Sequence, residues 1–179
     1  MAIVFDMQIA KLSRSRNDDQ NIVETLSAVV KPYVGDNRII EFHPISNTFV
    51  NENGGVSGQL SLSPKYVSIG SSLDDRREDD IDDEEIFKLT LHMYDLLKEV
   101  EAFDLALVGW EIGFLSNYLE FGNKGDVTKV GEVEGLVVSK GLVKNIQLSN
   151  QFQKFSKTHI WIPVESMPGN IFGGDDDDE

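Results

Sequence analysis

Cysteine is absent from this chain of 179 residues. Its absence excludes a disulfide framework, a thiolate zinc site, an iron–sulfur cluster and a cysteine nucleophile. Histidine is scarce, since only His43, His92 and His159 occur. They fall in three separate predicted elements and lack the HxH or HExxH spacing that converges on zinc. The sequence therefore predicts no cofactor and no metal site built on histidine.

Long apolar runs are also missing. Beyond the amino terminus the longest one is Leu105–Trp110, which is far too short to span a bilayer. The first residues, MAIVFDMQIAKL, include Asp6 and have no basic stretch ahead of the apolar one, which disfavours a secretory signal. We expect a cytoplasmic protein that does not bind membranes.

Positive charge is in short supply, with 16 lysines and arginines against 31 acids and a formal net charge of −15. Two tracts carry most of this net negative charge: Asp74–Glu85 contributes −7 and Asp175–Glu179 contributes −5, which leaves −3 for the rest of the chain. A double-stranded DNA mimic needs carboxylates in rows over a rigid surface, and this distribution argues against one. Direct binding of nucleic acid is disfavoured too, because no basic stripe with interleaved aromatics occurs.

The run SSLDDRREDDIDDEE at 71–85 is the most distinctive stretch. Its carboxylates can attract calcium, but the EF-hand pattern and the glycine needed for its sharp turn are absent, so no metal site is predicted. One interpretation is a solvated loop that leads into a helix, and the other is a docking surface for a basic partner. The residues that the docking interpretation takes from this run are Asp74, Asp75, Glu78, Asp79 and Asp80.

The carboxyl-terminal stretch SMPGNIFGGDDDDE has the composition of a flexible acidic tail. A few apolar residues precede its charge block, as in short peptides that dock into basic grooves. The residues assigned to docking here are Ile171, Phe172, Asp175, Asp176, Asp177 and Asp178. The alternative is a solubilising tail without a partner.

Two segments show the periodicity of amphipathic helices. The first spans about 18–31 and ends before Pro32. The second spans about 82–103, where Asp82 and Glu85 resemble a capping box and the preceding acids suit the positive end of the helix dipole. Its apolar stripe comprises Ile86, Leu89, Met93, Leu96, Leu97, Val100 and Phe103.

Strand patterns occupy much of the remainder. We predict strands at 2–9, 38–45, 56–62 and 159–164, and a hairpin within 132–149. The alternation in VSGQLSL predicts a sheet with one solvated face. The stretch 105–121 fits either a helix or a strand followed by a short turn or helix, and we favour the strand.

The predicted fold class is α+β, with a mostly antiparallel sheet of about five to seven strands packed by the two helices. We expect one domain at 1–165 with an acidic loop at 71–81, followed by a flexible acidic tail at 166–179.

No catalytic residue is assigned, because neither a G-x-S-x-G elbow nor a phosphate-binding loop is present. The leading hypothesis is a non-enzymatic interaction module, of inhibitor or immunity type, that binds a basic protein. One alternative is a structural subunit that assembles with copies of itself or a larger complex. The other is a small hydrolase-like enzyme that uses a histidine and carboxylates from separate strands.

Overall fold

The structure is a computed structural model that describes residues 5–11, 16–50, 56–65, 67, 81–101, 103–110, 133–143 and 150–165. The two helices are α1 (Arg16–Val29) and α2 (Asp83–Lys98). The strands are β1 (Phe5–Lys11), β2 (Tyr33–Val34), β3 (Ile39–Ile40), β4 (Phe42–Val50), β5 (Val56–Pro64), β6 (Leu105–Trp110), β7 (Val137–Ser139), β8 (Gln153–Lys154) and β9 (His159–Trp161).

Seven of the strands form one antiparallel sheet in the order β4-β5-β1-β6-β7-β9-β8, and β2 pairs with β3 in a separate hairpin. The predicted α+β class, the mostly antiparallel sheet and the two helices are therefore confirmed. The prediction for 105–121 is confirmed over β6, and residues 111–121 lie outside the described part. The same holds for the acidic loop, apart from Ile81, and for the tail at 166–179.

Strand β1 lies in the interior of the sheet, between β5 and β6, and it is buried on both faces. Phe5, Met7 and Ile9 alternate toward the helices and are almost completely buried. On the other face Ala10 joins a second apolar cluster with Leu105 of β6. Its partners β5 and β6 run antiparallel to it, with Met7 opposite both Leu62 and Val108.

Helix α2 begins as the sequence predicts and ends earlier. The carboxylate of Asp82 accepts a hydrogen bond from the backbone N–H of Glu85 at 2.8 Å, which is the N-cap half of a capping box. The helix ends at Lys98 because the chain tightens there, with the Val100 N–H bonding to the Leu97 carbonyl. Phe103, predicted inside the helix, lies beyond it but is still buried.

Tyr94 joins the middle of α2 to the sheet. Its buried hydroxyl donates to the Gly135 carbonyl at 2.8 Å and accepts from the Val108 N–H at 3.2 Å. Val108 lies past Ala106, where the pairing of β6 with β7 ends. The tyrosine thus supplies the acceptor that the neighbouring strand no longer provides.

Gly135 has to be glycine for two reasons. Its φ of +81° belongs to the left-handed region. A Cβ at this position would also collide with the Tyr94 hydroxyl.

Two details of the predicted sheet are wrong. The face of β5 that carries Ser61 and Ser63 is buried rather than solvated, because the sheet is covered on both sides. Strand β7 lies in the segment 132–149, predicted as a hairpin, but both of its edges are occupied by β6 and β9 instead of by a neighbouring strand of that segment. Residues 132 and 144–149 of the segment lie outside the described part of the chain. The partner β9 comes much later in the chain, and local turn signals do not reveal such a pairing.

Replacing Tyr94 with Phe should lower the free energy of unfolding by about 1–3 kcal/mol, because a buried carbonyl and a buried amide lose their partner. Urea titration measures this change. Tyr33→Phe is the matched control: this tyrosine is also buried, but among the described residues its hydroxyl has no hydrogen bond. An equal loss in the two variants would contradict the role given to the Tyr94 hydroxyl.

Candidate functional site

The residues predicted to bind a partner lie outside the described part of the chain. This applies to Asp74, Asp75, Glu78, Asp79 and Asp80 of the acidic run, and to Ile171, Phe172 and Asp175–Asp178 of the tail. The structure describes the end of the run, from Ile81 onward, where it enters α2. The surface around this helix start is the candidate site.

Three of the four acids at the start of α2 point into solvent. Asp82, Asp83 and Glu84 are exposed, whereas Glu85 is partly buried. Glu84 pairs with Lys88 one turn later at 2.8 Å, and this pairing, mainly through its hydrogen bond, raises the pKa of Lys88. Asp83 has no ion pair or hydrogen bond within the described residues. Carboxylates at a helix N-terminus are favoured by the dipole, so these acids also stabilise the helix.

The hairpin of β2 and β3 packs beside this helix start. Its turn, Asp36-Asn37, is closed by a hydrogen bond from the Gly35 N–H to the Arg38 carbonyl at 2.9 Å. Arg38 then reaches α2, where its Nε lies 3.2 Å from Oε2 of Glu85, and both side chains are more than four-fifths shielded from solvent. The ion pair therefore fixes the hairpin to the first turn of the helix.

Two further contacts hold the hairpin in place. Gly35 lies so close to Glu85 that a Cβ there would collide with Oε1 of this glutamate. Tyr33 packs edge-on against His92 at 5.6 Å between ring centroids, and the His92 ring stacks on Phe42 of β4 at 5.9 Å. Glu85 and His92 are seven residues apart and so share one flank of α2, to within about 20° on an ideal helix.

The hairpin is apolar on both faces. Tyr33 and Ile40 are cross-strand partners that point into the core. Val34 and Ile39 are also partners, on the opposite face, and they are 72% and 67% exposed. The structure gives the exposure of every described side chain except those of 16–21, 23, 45–50 and 56–59. Among the side chains with described exposure, no other large apolar one is exposed to a comparable degree, since Leu91 follows at 37%. We call Val34 and Ile39 the apolar pair.

This hairpin was not predicted from the sequence, in which 38–45 was assigned to a single strand. A signal was available: Asp36-Asn37 lies between Tyr-Val and Ile-Ile, which is a turn dipeptide flanked by strand formers. The exposure of the apolar pair, in contrast, has no sequence signal. All four strand residues of this hairpin are apolar or aromatic, so the pattern does not tell the inner face from the outer.

The rings of His92 and His159 bond to backbone and hydroxyl groups in the described part of the chain. His92 approaches the Lys31 carbonyl with Nε2 at 3.1 Å, and no ring nitrogen of a histidine hydrogen-bonds an acid within the described residues. Nor do three or more histidine, aspartate or glutamate side chains gather there in a metal-binding arrangement.

His159 is a structural residue. It is almost completely buried, and its ring stacks on Phe103 at a centroid distance of 3.9 Å. Its Nε2 donates to the Phe103 carbonyl at 3.0 Å, since a carbonyl can only accept, and its Nδ1 is left to accept from the Thr158 hydroxyl at 2.9 Å. Burial lowers the pKa of His159, against opposing contributions from the Phe103 carbonyl and the nearby acids Asp104 and Glu101.

A buried polar row crosses the face of the sheet that points away from the helices. Gln8 and Ser61 are cross-strand partners, and the Gln8 side-chain amide donates to Asp6 at 3.3 Å. Ser63, two residues along β5, lies opposite the half-buried His43. Ser63 lies between His43 and strand β1. His43 therefore does not bridge a serine and an aspartate, as the histidine of a hydrolase triad does.

Comparisons with known proteins add no assignment: the chain matches no family model, no curated protein and no solved structure at a significant level. Within the described residues, no helix is both long enough and apolar enough to cross a membrane.

Glu85→Gln should lower the free energy of unfolding by about 1–2 kcal/mol, because it removes the charge from a shielded ion pair that joins the hairpin to α2. Glu84→Gln is the matched control, since it removes the same charge from the same helical turn but affects only an exposed pair, with an expected loss of about 0–0.5 kcal/mol. Urea titration compares them. Hydrogen exchange at the Gly35 amide should accelerate in Glu85→Gln alone. Equal effects of the two substitutions would contradict the anchoring role of Glu85.

Folding stability should fall as the pH drops from about 7 through the ordinary histidine pKa near 6.5, and His159 should account for part of the fall. The folded pKa of His159 lies below its unfolded value, so the stability it contributes is complete above the unfolded pKa and is lost toward the folded one. Urea titrations at pH 7.5 and about 5.5 give this difference. His159→Gln should reduce it, and the control His43→Gln should not. An unchanged difference in His159→Gln would refute the assignment.

Proposed function

We propose that this chain is a non-enzymatic interaction module that binds a basic protein through the acidic surface around the start of α2. The observation that carries the proposal is that the acidic run ends on a rigid support, with Asp82, Asp83 and Glu84 exposed at the head of a capped helix. Charges on a fixed scaffold present a defined pattern to a partner. A cytoplasmic location and the absence of direct nucleic-acid binding belong to the same proposal.

Electrostatic attraction of this kind acts first on the rate of encounter. Clustered charge of one sign raises association rates by about 10- to 1000-fold, and the gain falls steeply with ionic strength. Because Asp82 caps the helix and Glu85 holds the hairpin, neither is free to be removed without changing the fold. The proposed contact acids are therefore the upstream ones, Asp74, Asp75, Glu78, Asp79 and Asp80, together with Asp83.

The acids of the tail, Asp175–Asp178, and the neighbouring Ile171 and Phe172 form a second proposed contact region. It is independent of α2 in sequence, so its deletion and the neutralisation of the run can be tested separately.

The test starts from capture of proteins out of a cell extract at low and at high salt. Captured proteins are identified, purified and measured individually by surface plasmon resonance. Replacing Asp74, Asp75, Glu78, Asp79 and Asp80 with Asn or Gln should slow association at low salt about tenfold and flatten its salt dependence.

The matched control neutralises five acids elsewhere in the chain, Glu24, Asp95, Glu99, Glu134 and Glu165, which are all exposed. This variant has the same net charge as the first one, so it separates a local surface from a general effect of charge. The proposal fails if the kinetics at low salt are unchanged in the first variant, or if both variants slow association equally.

A further inference from the structure

The apolar pair is unusual for an exposed ribbon. Val34 and Ile39 are directly opposite each other, so their side chains form one continuous apolar surface on the outer face of the hairpin. The outer face of a two-stranded ribbon is ordinarily polar, because it gains nothing from apolar residues unless something covers them. Among the side chains whose exposure the structure describes, no other large apolar one is exposed to this extent.

The hairpin and the start of α2, to which it is fixed, are together acidic. Residues 33–40 and 81–88 together carry five acids and two bases, a local formal charge of −3. Both bases are already engaged, Arg38 with Glu85 and Lys88 with Glu84. Asp36 in the turn between the two strands is exposed, as are Asp83 and Glu84 on the helix. The acidic run at 74–80 ends immediately before this region.

The hairpin is also held rigidly. The Arg38–Glu85 ion pair, the close approach of Gly35 to the helix and the packing of Tyr33 on His92 fix it to α2 from three points. A surface that is already in its final position loses little conformational entropy when a partner binds. Little of the free energy gained by burying the apolar pair is therefore lost to ordering the hairpin, and most of it can contribute to affinity.

We propose that the apolar pair is the anchor of the docking surface, and that its occupant is a basic protein segment carrying an apolar side chain between lysines or arginines. A purely apolar segment that reached from the apolar pair to Asp36, Asp83 and Glu84 would desolvate these acids without compensation. A purely basic segment would leave Val34 and Ile39 in water. Only a segment that is both basic and partly apolar can pair with the acids and also cover Val34 and Ile39. The inference rests on the proposed function and deepens it by naming the anchor and the partner chemistry.

The test uses two fluorescein-labelled peptides of equal positive charge. One has leucines interspersed among lysines, and the other has serines in place of the leucines. Fluorescence anisotropy should show that the native chain binds the leucine peptide about tenfold more tightly, as burial of part of the apolar pair predicts. Val34→Thr combined with Ile39→Thr keeps β-branched residues in both strands and should abolish this preference while leaving serine-peptide binding unchanged.

Two further variants complete the design. The swap Val34→Ile with Ile39→Val keeps the apolar surface and should keep the preference. Asp36→Asn, Asp83→Asn and Glu84→Gln together spare the helix cap and the Arg38–Glu85 pair, and they should weaken both peptides to a similar degree. Circular dichroism and thermal melts verify that each variant is folded.

The outcomes separate the two proposals. If the leucine preference persists in the double Thr variant, the apolar pair is not the anchor, although the acidic module can stand. If neither peptide binds in a manner that depends on salt and on the acids, the proposed function fails as well. If sedimentation shows a dimer that the double Thr variant abolishes, the occupant is a second copy of this chain and the docking proposal is overturned.

Discussion

The Tyr94 hydroxyl fixes how α2 lies on the sheet, and the arrangement of the candidate site depends on that placement. One donor and one acceptor of the sheet region, the Val108 amide and the Gly135 carbonyl, meet this single buried oxygen. Burial raises the pKa of Tyr94, so the hydroxyl keeps its proton and continues to donate. Because both partners are backbone groups, neither can follow the helix if it slides or rotates. The remainder of α2 is then a rigid extension of this contact.

Helical geometry transfers that constraint to the hairpin. Glu85 precedes Tyr94 by nine residues, which corresponds to about 13 Å along the axis and about 180° around it. Glu85 therefore lies on a different flank of the helix from Tyr94, the flank shared with His92, whose ring reaches the outer strand β4. The hairpin contacts this flank through Arg38 and Tyr33. Helix α2 consequently contacts the inner strand β6 through Tyr94 and the hairpin through Glu85 and His92, and its first turn borders the hairpin.

Local periodicity predicted most of the elements, because burial repeats along a helix or strand with the period of that element. The stripe of α2 was readable in this way, its cap at Asp82 followed from the capping-box spacing, and for 105–121 periodicity allowed a helix as well as the favoured strand. Long-range relations were not readable in the local pattern. The pairing of β7 with β9 and the burial of Ser61 depend on segments distant in the chain. The candidate site combines both cases: its acids are evident in the sequence, whereas the exposure of Val34 and Ile39 depends on where α2 places the hairpin.

Charge and apolar surface in this region have different ranges of action, so they contribute to different stages of binding. At physiological salt an exposed carboxylate acts over about 8 Å, which is enough to orient an approaching partner. It adds little to the free energy of the bound complex if it stays hydrated there. Val34 and Ile39 act only in contact, when water is expelled. Of the acids in the described part of the run, Asp82, Glu84 and Glu85 have local partners within the fold. In the proposed complex, association is therefore governed mainly by the acids upstream of them, and dissociation by the apolar pair.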